Sequence, residues 1–171
     1  MATWGVLLLP DGVDAAAHAG EGAVAAGVAQ HLDGLVAVAD GTTTAGVVAL
    51  LPDAVTRVVV LDPVSATGPD AAERIGAVLA ADDGAPAAVT AARPLADALK
   101  RVEGDVIVEG LARDGLLTPV APTLISRDAL TAVADAPIEG AAGRLLAEGR
   151  TIRLVPDVGG PFTVRTGGDG R

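Results

Sequence analysis

Residues 89–130 read VTAARPLADALKRVEGDVIVEGLARDGLLTPVAPTLISRDAL, and the fold turns on how they are interpreted. Most of the chain is alanine, valine, leucine and glycine, but here charges crowd together: Asp97, Lys100, Arg101, Glu103, Asp105, Glu109, Arg113 and Asp114. A segment this polar does not lie in a core, because burying unpaired charge is costly. Its apolar members, Val102, Val106, Ile107, Val108 and Leu111, are β-branched or aliphatic, and Gly104, Gly110 and Gly115 interrupt them at short intervals. That punctuation predicts extended ribbon with turns, an arm over residues 97–115 projecting from a globular body.

Outward from the arm, strands and helices alternate. Towards the amino terminus, residues 4–9 (WGVLLL), 35–39 (LVAVA) and 57–61 (RVVVL) are short apolar runs, each closed by an aspartate beside glycine or proline. Runs apolar throughout, rather than at every second position, predict strands buried on both faces. A weaker strand is expected over 85–90. Between them, helices are expected over 22–32, over 45–51 behind the N-cap hydroxyls of Thr42, Thr43 and Thr44, and after Pro69, where Ala72, Ile75, Val78 and Leu79 share a face. Beyond the arm, helices over 127–134 and 138–148 precede strands over 151–155 and 162–165, and the GGDGR tail reads as disordered. The fold class is α/β: a single domain with a mostly parallel sheet, helices on both faces and a protruding β arm.

Composition narrows the function. With 171 residues and half of them hydrophobic, the chain can bury a core. No apolar run approaches the roughly 18 residues of a membrane helix, and the first basic side chain is Arg57, so the start lacks the charged opening of a signal peptide. A cytoplasmic protein without membrane contact is the expectation. A net charge of −10 argues against nucleic acid, which is bound through clustered Lys and Arg. The absence of cysteine excludes disulfides, thiolate metal sites and cysteine nucleophiles.

In open α/β sheets ligands bind beyond the carboxyl ends of the strands, and three such ends carry a carboxylate: Asp11, Asp40 and Asp62. Carboxylates with substrate phosphates suit magnesium, while Asp beside Gly or Pro equally suits turns and helix caps. His18 and His31 stand thirteen positions apart, unlike the close spacing of helical metal pairs. The two serines, Ser65 and Ser126, sit in no GxSxG elbow.

Residues 92–101, ARPLADALKR, resemble the APVxDTxKR run of the methylerythritol phosphate cytidylyltransferases, isoprenoid-pathway enzymes that join CTP to a sugar-alcohol phosphate. In the same register, residues 113–117 (RDGLL) resemble that family's R-x-G-L-W, residues 121–123 (APT) its TPQ, and residues 127–130 (RDAL) its R-(D/E)-x-L. The run 58–66, VVVLDPVSA, is similar to the strand that ends in HDAARP. The resemblance implies a nucleotide-diphospho-sugar transferase-like fold and a homodimer joined through the arm. It further implies magnesium held by Asp62 if the protein is active, a nucleotide-binding role for Asp97, and Arg113 reaching the neighbouring subunit's site to position the sugar-alcohol phosphate.

Departures from that pattern bear on catalysis. Where the family has a glycine-rich AAGxGxR loop, this chain has Leu9-Pro10-Asp11-Gly12-Val13-Asp14-Ala15. Its first 56 residues hold no Lys or Arg but six acids, and Lys100 is its one lysine. Ser65 falls near the arginine of HDAARP, Ala98 on the threonine of DTxKR, Thr123 on the glutamine of TPQ and Thr163 on the lysine of NxKxT. Groups that stabilise charge developing in transfer are therefore missing together, each worth ~10²–10³ in rate. The sequence thus predicts a truncated, degenerate relative with impaired or lost transfer, or a non-catalytic binding, regulatory or scaffold homodimer on the same fold.

Overall fold

The computed structural model describes residues 2–10, 28, 30–67, 70–95, 99–103, 106–111 and 116–157. In chain order these form β1 (Ala2–Leu9), β2 (Gly34–Ala39), α1 (Thr44–Leu50), β3 (Val55–Leu61), α2 (Pro63–Thr67), α3 (Ala71–Ala80), β4 (Ala88–Pro94), β5 (Leu99–Glu103), β6 (Val106–Leu111), β7 (Leu117–Ser126), α4 (Arg127–Ala132), a 3-10 turn (Ile138–Gly140), α5 (Ala141–Ala147) and β8 (Ile152–Pro156). The expected helix over 22–32, the strand over 162–165 and the tail lie outside the described residues, as do Asp11, His18, Asp97 and Arg113. No helix among the described residues is long and apolar enough to cross a membrane.

Six strands form one sheet in the order β2-β1-β3-β7-β4-β8. Their uninterrupted apolar sequences follow from burial on both sides. Val6, Leu8, Val58, Val60 and Ile125 pack on one face with Leu130, Ile138 and Leu145 of the 127–147 region. Their neighbours Leu7, Leu9, Val59, Leu61 and Leu124 pack on the other face with Ile75 and Val78 of α3. Alternating residues of each strand thus serve two cores, as the period of two along a strand requires.

The sheet is parallel except at β7, which runs antiparallel between β3 and β4. β7 is the element the sequence did not announce. Pro119 and Pro122 argue against a central strand, since proline cannot donate to a ladder. Two features reconcile them with it. β3 pairs with β7 only over residues 123–126, so the 117–122 half is bonded on one side alone. The ladder with β4 also steps from Thr90↔Thr123 to Ala91↔Val120, leaving Ala121 and Pro122 as extra residues in a bulge. Other differences are smaller: α2 was not foreseen, the weak strand over 85–90 begins later as β4, and the 138–148 helix opens as a 3-10 turn.

The expected ribbon forms a two-stranded antiparallel sheet of its own, β5 with β6, with a register shift between Arg101 and Val102. Val106 and Val108 on β6 are 62% and 43% exposed. The hairpin connects β4 to β7, so it springs from the end of the sheet where β1, β2 and β3 finish.

Side chains also clamp the opposite end of the sheet. Arg127 donates through Nη1 to the carbonyls of Pro52 (2.6 Å) and Val55 (3.4 Å) and through Nη2 to that of Val48 (3.5 Å), tying α4 to the turn between α1 and β3. Its contact with Asp53 is longer and solvent-exposed, so the carbonyl bonds dominate. We expect Arg127→Ala to lower the unfolding free energy by about 1–3 kcal/mol in urea titrations, and an unchanged midpoint would show the clamp to be idle.

Candidate ligand-binding cleft

β1, β2, β3, β4 and β8 point the same way, so their carboxyl ends gather at one edge, where an open α/β sheet binds its ligands. A cleft of about 700 Å³ opens there. Leu8, Val60, Ile152 and Leu154 of the sheet form its floor, Leu117, Pro119 and Val120 of β7 one wall, and Ala142, Gly143 and Leu146 of α5 another. Four described polar side chains join this apolar lining: Asp62, Glu139, Thr90 and Thr123.

Asp62 directly follows β3 and caps α2. Its Oδ1 accepts from Ser65 N at 2.6 Å, its own N–H donates to Ser65 Oγ at 3.0 Å, and Ser65 Oγ donates back to the Asp62 carbonyl at 3.1 Å. This reciprocal arrangement is why the buried Ser65 is tolerated, and it occupies one carboxylate oxygen of Asp62. Ser126 is likewise a cap, accepting from Ala129 N at the start of α4. Both serines thus have structural partners.

The loop after β2 is tied to the cleft wall through Glu139. Gly41 adopts φ +79°, open to glycine, and its N–H donates to Glu139 Oε1 at 3.2 Å. Thr43 caps α1 by accepting from Gly46 N, as the threonine run foretold. Thr44, fully buried, donates to the Val133 carbonyl at 2.6 Å, while its N–H bonds the Ala136 carbonyl. These bonds fasten the loop after β2 to the 133–139 segment, which supplies Glu139 to the cleft wall. Asp40 stands in this loop, exposed and outside the cleft wall.

At the bulge, Thr90 Oγ1 lies 2.7 Å from Thr123 Oγ1 and 3.2 Å from the carbonyls of Ala91 and Val120. Having one proton for these acceptors, Thr90 can bond a carbonyl while Thr123 donates to it, which leaves the Thr123 oxygen as an acceptor.

Several described cations are engaged elsewhere. Arg57 pairs with Asp82 at 2.5 Å, and Arg153 bonds Asp83 at 2.8 Å and the Ala81 carbonyl, both beside the loop that precedes β4. The Arg153 bond and the Ala85 N–H hold the exposed Asp83 carboxyl below its ordinary range. Arg74 Nε approaches Asp157 Oδ1 to 3.0 Å, joining α3 to the end of β8, yet neither atom makes a well-aligned hydrogen bond, so the contact is ionic only. Arg144 pairs with Glu148 along α5. Arg93 lies exposed near the end of β4, outside the cleft wall.

Of the residues singled out from sequence, Asp62 is therefore in the cleft, Asp40 is in the loop after β2 and not in the cleft lining, and Asp97 and Arg113 lie outside the described residues. His31 lies about a van der Waals contact from where a side chain at Gly76 of α3 would start, on the other face of the sheet. Glu139 and Thr90 were missed, since a lone glutamate after proline-isoleucine and a threonine inside a strand carry no sequence signal. Among the described residues no three His, Cys, Asp or Glu side chains gather closely enough to hold a metal ion.

A mostly parallel sheet with one reversed strand, helices on both faces, a strand-end cleft and a β hairpin make this an open α/β fold. No protein-family model matches the chain, and no curated protein does. Solved structures do. A 4-diphosphocytidyl-2C-methyl-D-erythritol synthase aligns with a TM-score of 0.63 and 20% identity, over 92% of this chain and 89% of that one. The corresponding synthase of Anaerococcus prevotii aligns at 0.64 with 11% identity, over 91% and 88%. The 2-C-methyl-D-erythritol 4-phosphate cytidylyltransferase of Thermus thermophilus aligns at 0.56 with 21% identity, over 89% of this chain but 71% of that one. The chain has the fold of these cytidylyltransferases, and it spans most of the first two.

Proposed function

We propose that this chain is a relative of the methylerythritol phosphate cytidylyltransferases that has lost nucleotidyl transfer and keeps the fold as a cytoplasmic, homodimeric binding protein. The observation that carries this reading is the charge of the cleft. Its charged described side chains are Asp62 and Glu139, both acidic, whereas triphosphate chemistry is stabilised by cations and aimed N–H donors. The acidic first 56 residues point the same way. For the homodimer, support comes from the exposed valines of the arm.

A transfer assay tests the proposal: pyrophosphate release from CTP and 2-C-methylerythritol 4-phosphate with magnesium, run beside an active cytidylyltransferase. The expected result is no release above the protein-free control. Turnover that requires magnesium and falls in Asp62→Asn, Asp97→Asn and Arg113→Ala would establish the transfer reading instead, with those residues in metal, nucleotide and sugar-phosphate roles.

A further inference from the structure

We infer that the strand-end cleft binds an organic cation: a protonated or quaternary amine carrying an aliphatic body. This assignment rests on the proposal that the cleft is a binding site without transfer activity. Three features of the wall select the chemistry. At about 700 Å³ the cleft is in the size range of small-molecule sites, roughly 300–1,000 Å³. The lining from Leu8, Val60, Leu117, Leu146, Ile152 and Leu154 offers a hydrocarbon body a place out of water. Its polar side chains among the described residues are two carboxylates and two hydroxyls, which together favour a positively charged hydrogen-bond donor.

Both carboxylates keep a lone-pair side for such a donor. Asp62 uses Oδ1 for the Ser65 N–H and Glu139 uses Oε1 for the Gly41 N–H, which fixes each side chain in place. Glu139 also stands in the turn leading into α5, so its charge offsets the positive end of that helix, which would otherwise favour an anion. The net charge of −10 further draws cations towards the protein and repels anions.

The test is isothermal titration of the full chain with n-decylammonium, n-decanoate and 1-decanol, which share a chain length and differ in charge, plus magnesium–CTP. Decylammonium is expected to bind saturably, and about tenfold or more tighter than either of the other two. Asp62→Asn with Glu139→Gln preserves both accepted hydrogen bonds while removing the charges, and is expected to erase that preference. Gly143→Phe is expected to abolish binding, because a side chain at Gly143 starts with no atom within 4 Å and can grow into the cleft. Replacing a helical glycine is expected to leave thermal stability equal or higher, and a thermal melt of the variant separates lost binding from unfolding. Equal or tighter binding of decanoate, no saturable binding of decylammonium, or full binding by Gly143→Phe would overturn the inference. Tight binding of magnesium–CTP would overturn the cation assignment, and pyrophosphate release from it the underlying proposal; silence from both decylammonium and CTP would remove only the cation assignment.

Discussion

Leu145→Ala is expected to lower the unfolding free energy by about 2–5 kcal/mol, the range for emptying a leucine site in a packed interior. Leu145 is fully buried and packs in the same cluster as Ile138, Leu130 and Val58. Its helix, Ala141–Ala147, has seven residues and lacks a side-chain cap, too short to be helical on propensity alone. Packing through Leu145 therefore holds it against the sheet. The same helix carries Gly143 and Leu146 into the cleft and follows the turn bearing Glu139, so the loss reaches the site as well as the core. Denaturant unfolding measures the effect. A loss below about 1 kcal/mol would mean that the helix does not depend on this contact.

The second large effect is on assembly. In the proposed homodimer, Val106→Asp with Val108→Asp is expected to raise the dimer dissociation constant by ~10³ or more. Burying a valine contributes roughly 1.5–3 kcal/mol, a symmetric interface loses each one twice, and the new carboxylates resist desolvation. Because both valines are exposed in the single chain, the substitution leaves the sheet untouched and the fold should persist. Analytical ultracentrifugation at matched concentrations distinguishes the outcomes: a dimer for the unaltered chain and a monomer for the variant support the arm as the interface. A monomeric parent, or an unshifted variant, would count against it.

The sheet was legible because burial on both faces leaves a plain mark. Continuous runs such as LVAVA and RVVVL have no polar alternation to hide behind, and the Thr43 cap announced α1. The arm was legible for the opposite reason, since charge and glycine at that density fit a core nowhere. β7 escaped because its prolines are permitted by circumstances that lie elsewhere: β3 stops pairing at Thr123, and β4 accommodates the bulge. The site was read in part. Asp62 falls at a strand end, which topology makes a ligand edge, so its place in the cleft could be anticipated. Glu139 and Thr90 reach the same cleft only through tertiary contacts, Glu139 by way of the Gly41 N–H and Thr90 by way of the hydroxyl of Thr123. Neither pairing is written in local sequence.

Titration with magnesium–CTP tests the electrostatic character of the cleft most directly. The acidic wall predicts no saturable heat up to ~1 mM nucleotide. Saturable micromolar binding that disappears in Asp62→Asn would contradict it.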